Sequence, residues 1–303
     1  TIKKTFPNAV FFGFTGTPIH DENQKKMSTT SDVFGNELHR YSIADGIRDK
    51  NVLGFDPYMV PTYKDRDLRK AVALEKAKAQ DETEVFANDS KKKIYMHWMD
   101  DVPMGEQLDD DGDPLESIEG CLTDAQYNRD EHRKAVIDDI LDNWVSQSHN
   151  GKFHAILATS SIPEAIKYYK LFAQRDCGLK TTAVFDPSDG NNESSIEKID
   201  GIAQMLEDYN SLFGTCFNIS GYASFKRDVC ARLAHKTPYT AVENEPSKCL
   251  DILIVVDQML TGYDSKWLNT LYMDKFYKWS NIEMIIQAFS RTNRVFNDDK
   301  PHG

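Results

Sequence analysis

The sequence predicts an α/β protein built on a parallel sheet with flanking helices, and three observations carry that expectation. From Gly151 onward, short runs that read as strands alternate with longer segments of helical periodicity, the pattern of parallel strands joined by helical crossovers. Four of those runs, Phe153 to Ala158, Thr181 to Phe185, Ile252 to Val256 and Leu271 to Met273, are largely apolar rather than alternating, as strands covered on both faces are. Hydroxyl, glycine and carboxylate residues then follow several of the runs directly, at the carboxyl ends where ligands bind in open α/β sheets.

Length and composition narrow the class. The 303 residues allow one large domain or two, with ample core. No apolar stretch reaches 18 residues, so no membrane span is expected. The first residues, TIKKTFPNAV, have neither an initiator Met nor a signal-peptide core, and read as a piece of a longer chain. Cysteines 121, 177, 216, 230 and 249 are scattered and odd in number, as reduced thiols in a cytoplasmic protein are. The histidines form no metal-binding cluster, so no metal site is expected within the chain. Net charge is −12, but residues 100 to 120 alone carry nine carboxylates and no Lys or Arg. The remainder is near neutral and compatible with a local basic groove for nucleic acid.

Taken in order, Ala9 to Phe14 (AVFFGF) reads as a buried strand leading into Thr15-Gly16-Thr17-Pro18. Residues 19 to 40 read as a connection, Tyr41 to Arg48 as a short helix, and Leu53 to Thr62 as an extended segment interrupted by Pro57 and Pro61. Lys64 to Met99 is charged, Ala-rich and helical, and Lys91 to Lys93 read as a solvated helix face. The acidic stretch 100 to 120 reads as a loop or disordered insertion. Leu122 to Gln147 forms a helix with Ala135, Val136, Ile140, Leu141, Trp144 and Val145 on one side. Asp130-Glu131-His132 imitates part of a D-E-x-H ATPase box, but no buried strand precedes it, so that reading is set aside. Beyond Gly151, Phe153 to Ala158 leads into Thr159-Ser160-Ser161, and Pro163 stands in the first turn of a helix, where its missing N–H costs nothing. Ser194 to Tyr209 and Ser224 to Leu233 read as further helices.

Residues 251 to 294 are the best specified. Asp257 ends one strand and Thr261-Gly262-Tyr263-Asp264 follows in a loop, where Gly262 allows close backbone approach to a ligand. Asp274 closes the next strand. Ser280 and Glu283 form an S-x-x-E capping box ahead of Ile282, Ile285, Ile286 and Phe289 on one helical face. Gln287, Arg291 and Arg294 share the opposite face, an array of forked donors suited to a polyphosphate. The competing reading is an amphipathic surface helix with ordinary arginines.

T-G-T-P, T-S-S, D-x-x-x-T-G-x-D and Q-x-x-x-R-x-x-R, in this order on a β/α alternation, resemble motifs III, IV, V and VI of superfamily 2 helicases and translocases. FFGFTGTPI, VFGNELHRYSIADGIRDKNVLGF, ILIVVDQMLTGYDSKWLNTLYMDK and IIQAFSRTNRV together resemble the motor subunit of type I restriction-modification enzymes, over nearly the whole chain and least over 64 to 150. The resemblance implies two RecA-like lobes with ATP between them. Residues 1–18 would end the first lobe, 19–62 connect, 63–149 form a charged helical and acidic insertion, and 150–303 form the second lobe. It implies that Arg291 and Arg294 act on the γ-phosphate as arginine fingers. Gln287, Gly262 and Asp264 would line the nucleotide, and Thr15, Gly16 and Thr17 would couple the ATP site to the DNA track. Thr159 and Ser160 would hold DNA phosphates. Val256 stands where many superfamily members carry a DNA-contacting Thr, and Thr261 is the substitute.

No G-x-x-x-x-G-K-[ST] loop occurs in the sequence, so the phosphate cradle and Mg²⁺ site are expected upstream, and the chain alone is expected to be inactive. Implied partners are double-stranded DNA and the methyltransferase and specificity subunits of the same enzyme, with no membrane. The alternatives are another superfamily 2 motor, of type III restriction or repair kind, and a non-enzymatic nucleic-acid-binding module of RecA-like fold.

Overall fold

The structure is a computed structural model that describes residues 2–16, 18, 29–105, 107, 115–122, 129–175, 177–185, 195–256, 263–274 and 282–303. It divides into two compact units, Thr1–Val52 and Leu53–Gly303.

The first unit holds three short helices, α1 (Ile2–Thr5), α2 (Thr30–Phe34) and α3 (Ile43–Arg48). Helices α2 and α3 start at reciprocal capping boxes, Thr29 with Asp32 and Ser42 with Asp45, which satisfy backbone donors that such short helices leave open. Ala9 to Phe14 does not form the expected strand. A strand completes its hydrogen bonds only with a neighbour, and none of the unit's described residues forms one. Alternate residues Val10, Phe12 and Phe14 are 79%, 67% and 95% exposed.

In the second unit, helices α4 (Asp65–Lys76), α5 (Glu82–Phe86) and α6 (Asp89–Asp100) enclose a small core that includes Val72, Val85, Tyr95 and Trp98. Arg69 Nη1 donates to the Trp98 and Val102 carbonyls, closing the end of α6. Lys91 pairs with Glu84, while Lys92 and Lys93 stand in solvent as expected. Of the described residues of the acidic stretch, Val102 and Ile118 are buried in the same core, and Ile118 N–H donates to the Pro103 carbonyl, so this part is anchored by apolar burial.

The larger core surrounds a four-stranded sheet, β1 (His154–Thr159), β2 (Thr181–Val184), β3 (Ile252–Val255) and β4 (Leu268–Asp274). All pairings are parallel and the order is β2-β3-β1-β4. Every residue of β1 and β3 is buried, the reason these runs lack alternation. Helices α7 (Asp130–Gln147), α8 (Ile162–Gln174), α9 (Ser195–Phe213) and α10 (Tyr222–Leu233) supply the covering side chains. This is the expected α/β parallel sheet with flanking helices. Helix α7 brings Ile137, Ile140 and Trp144 into the sheet core, and Val145, expected on that face, is exposed.

Helix α11 (Ile282–Phe289) is shorter than the expected 280-to-294 element. Ser290 and Thr292 hydroxyls donate to the Gln287 and Phe289 carbonyls, and the Arg291 and Thr292 amides bond three residues back. Hydroxyls competing for helical carbonyls tighten and end the helix. Ala288 is its buried centre, and Ile286, expected inward, is exposed. The Ser280–Glu283 capping box lies outside the described residues.

Candidate functional site

Chemistry-bearing residues collect at both edges of the sheet. At the amino edge, His154 opens β1 and its amide donates to Trp267, just before β4. Its Nε2 meets the Tyr263 hydroxyl at 3.1 Å, fixing the loop that precedes β4. Burial, reinforced by His235 and Lys300, holds the His154 imidazole down to about 3 and therefore neutral.

Because α11 follows β4 and returns past the sheet, the residues after it arrive at this same edge. Arg291 Nη1 donates to the Tyr263 carbonyl at 3.3 Å, and Arg294 Nε donates to Asp264 Oδ1 at 2.7 Å. Burial and repulsion from Arg294 hold the Arg291 guanidinium below its ordinary value, against the pull of Asp264. Lys300 is buried beside them, with Nζ donating to the Leu268 carbonyl at 2.6 Å. Burial, then Arg294, brings its ammonium down to about 8. Arg294 thus raises the cost of charge on both Arg291 and Lys300, and a cluster of cations favours an anion.

The sequence placed Gln287, Arg291 and Arg294 on one helix, but only Gln287 lies on α11, where it is half-buried. The arginines reach their position through the turn that ends the helix. Asp264 joins them as expected. Gly262 and Thr261 lie outside the described residues.

At the carboxyl edge, Thr159 ends β1 and Ser161 caps α8 by accepting from the Glu164 amide. Thr159 does not face solvent as a phosphate ligand would. It is fully buried, and its hydroxyl donates to the Val255 carbonyl at 3.0 Å, tying β1 to β3. Ser160 is exposed, as its expected role requires. Thr15 and Gly16 are exposed in the first unit, and Thr17 lies outside the described residues.

Sequence reasoning missed a buried polar network at this edge. Asp274, the last residue of β4, accepts from the Tyr168 hydroxyl at 2.6 Å and meets His132 Nε2 at 2.7 Å. His132 Nδ1 lies 2.8 Å from the Thr62 hydroxyl, and the Tyr63 ring stacks on the imidazole. Next to it, Arg133 donates through Nε and Nη2 to both oxygens of Glu164, at 2.6 and 2.7 Å, and through Nη1 to Asp130. Burial and the charge of Asp274 push the Tyr168 phenol far up, so it remains a donor. Of the residues that imitate an ATPase box, His132 thus fixes α7 to β4, while Asp130 supports Arg133, which fixes α7 to α8. The signal available was Asp274 closing a buried strand.

Among the described residues, no group of three or more His, Cys, Asp or Glu is placed to hold a metal ion, and no helix is long and apolar enough to cross a membrane.

Comparison with known proteins agrees with this architecture. Residues 151–303 match the family described as type I restriction enzyme subunit R domain 3, and residues 1–93 match the SWI2/SNF2 ATPase family. The whole chain is 31% identical to the type I restriction enzyme SsaAORF53P endonuclease subunit of Staphylococcus saprophyticus, covering 28% of that protein. It is likewise 31% identical to the SauMRSORF196P endonuclease subunit of Staphylococcus aureus, again over 28% of its length. The HindI endonuclease subunit of Haemophilus influenzae is 23% identical, with 23% of its length covered. The chain therefore spans about a quarter of the length of the relatives it matches. With half of its residues matching the domain 3 family, the chain belongs to the type I restriction enzyme R subunits.

Proposed function

We propose that this chain is part of the ATP-dependent DNA translocase motor of a type I restriction endonuclease, and that it supplies the arginine side of the ATP site and part of the DNA track. The observation that carries this reading is the pair Arg291 and Arg294, anchored by Tyr263 and Asp264 at one edge of the sheet. A polyphosphate fits them, because it would relieve the repulsion that Arg294 exerts on Arg291. The Arg294–Asp264 bond uses one of the five N–H donors of a guanidinium. One or both arginines would stabilise the charge that develops on the transferring phosphoryl group. Gln287, Gly262 and Asp264 would border the nucleotide, Asp264 doing so while it orients Arg294.

Ser160 and Thr261 are the proposed contacts to DNA phosphates, with Thr159 retained as a brace inside the sheet. Thr15, Gly16 and Thr17 would couple nucleotide to DNA. Mg²⁺ and the phosphate-cradling loop are assigned to residues outside this chain, and the chain alone is proposed to be inactive. Double-stranded DNA and the methyltransferase and specificity subunits are the proposed partners, in the cytoplasm. The test is translocation by the complete subunit, in its assembled enzyme, carrying Arg291→Ala or Arg294→Ala. Movement along DNA is expected to stop in both variants with the fold intact; normal movement in both would end the arginine-finger assignment.

A further inference from the structure

The segment Leu53 to Tyr63 links the two edges of the sheet. At its start, Leu53 N–H donates to the Asn293 carbonyl at 2.7 Å, one residue before Arg294. Gly303 N–H donates to the Gly54 carbonyl at 2.9 Å, and the Phe55 ring packs on Phe289 at the end of α11. At its other end, Thr62 bonds His132 and Tyr63 stacks on the same ring, at the edge that bears Ser160. Between the anchors, residues 56 to 61 are exposed.

The geometry of the middle makes it stiff. Pro57 and Pro61 fix their own φ and hold the residues before them in extended conformations. An extended, proline-rich chain rises about 3.1 Å per residue, so the nine steps from Leu53 to Thr62 span on the order of 28 Å. The six residues of β1 span about 20 Å. The segment is long enough to run the full depth of the sheet; its near end is held through Asp56, whose N–H donates to the Gly303 carbonyl at 3.3 Å, and its far end at Thr62 and Tyr63.

The far anchor is itself braced. A carboxylate only accepts, so the His132 nitrogen facing Asp274 carries a proton, and in the neutral ring the other nitrogen accepts from the Thr62 hydroxyl. Tyr168 occupies the second oxygen of Asp274. Thr62 is thereby tied through one imidazole to the end of β4 and to α8.

We propose that Leu53 to Tyr63 is a coupling strap, and that Thr62, His132 and Asp274 are positioning residues that latch its far end. A displacement at the arginine edge is thereby delivered to the edge that contacts DNA. This inference rests on the motor reading above.

The test uses the complete subunit in its assembled enzyme, with Thr62→Val, which keeps the shape and removes the hydroxyl, and Thr62→Ser, which restores it. DNA-stimulated ATP hydrolysis and movement along DNA are measured on the same preparations. With Thr62→Val, hydrolysis is expected to stay within about twofold of wild type while the ATP consumed per base pair moved rises about fivefold or more. Thr62→Ser is expected to return that ratio to normal. An unchanged ratio in Thr62→Val overturns the strap, as does a parallel loss of hydrolysis and movement, which is what a purely structural role would give. A wild-type enzyme in which hydrolysis drives no movement overturns the motor reading itself, and this inference with it.

Discussion

Arg294 and Asp264 meet in the open at the amino edge of the sheet, with side chains 43% and 65% exposed, whereas Arg133 and Glu164 at the carboxyl edge are 2% and 7% exposed. Both are arginine–carboxylate pairs, and their surroundings give them opposite uses. In the buried pair both carboxylate oxygens are matched to the guanidinium fork, and neither charge has water to fall back on. The exposed pair is screened and contributes little to folding, so stability alone gives little reason for Arg291 and Arg294 to stand together. Under the proposed function, the satisfied ion pair lies where helices are fixed to the sheet, and the arginines lie where an anion would arrive.

Mutations that separate the two pairs would sharpen this contrast. The largest effect on stability is expected from Glu164→Ala, which leaves the buried Arg133 guanidinium with Asp130 as its carboxylate partner and should cost about 3 kcal/mol in chemical denaturation. A loss below about 1 kcal/mol would mean that the carboxyl edge is as soft as the other. Next comes acid. The folded state keeps His154 neutral down to about 3, whereas the unfolded chain takes up that proton near 6.5. The unfolded state therefore binds more protons throughout that window, and stability falls as pH drops through it. Between pH 7 and 5, unfolding curves of the wild type should lose on the order of 1–2 kcal/mol more than those of His154→Gln. Equal losses would show that burial of this imidazole is not felt. Smallest is Asp264→Ala, expected to shift stability by no more than about 1 kcal/mol. A larger shift would make the amino-edge pair structural too.

Much of the fold was legible because the strands of a parallel sheet carry their burial in composition, and each of the four apolar runs overlaps a strand. The Ser161 cap and Pro163 likewise mark the start of α8 from local chemistry alone. What failed locally failed for stated reasons. Periodicity carried the last helix through to Arg294, but the Ser290 and Thr292 hydroxyls end it five residues earlier. Ala9 to Phe14 has the composition of a strand without a strand beside it among the described residues of its unit. Thr159 was read as a ligand residue because it follows a strand, yet it is the strand's last buried position.

The arginine edge was half legible. Spacing singled out Arg291 and Arg294, the resemblance added Asp264, and the return of the chain after α11 brings them together. Lys300 was not found, since a lone lysine beyond the last motif carries no pattern. The carboxyl-edge network was invisible for a different reason. His132 and Asp274 are 142 residues apart, and Tyr168 and Asp274 are 106 apart, so only tertiary folding makes them neighbours.

The two edges are proposed to divide the labour, nucleotide at the arginines and DNA phosphates at Ser160 on the opposite edge. This division is tested most directly by replacing Arg291 and Arg294 together with Ala in the complete subunit, with steady-state ATP hydrolysis measured at saturating DNA and DNA affinity measured at fixed salt. Hydrolysis is predicted to fall about a thousandfold or more while DNA affinity stays within about threefold of wild type. Wild-type hydrolysis, or a loss of DNA affinity with hydrolysis preserved, would contradict it.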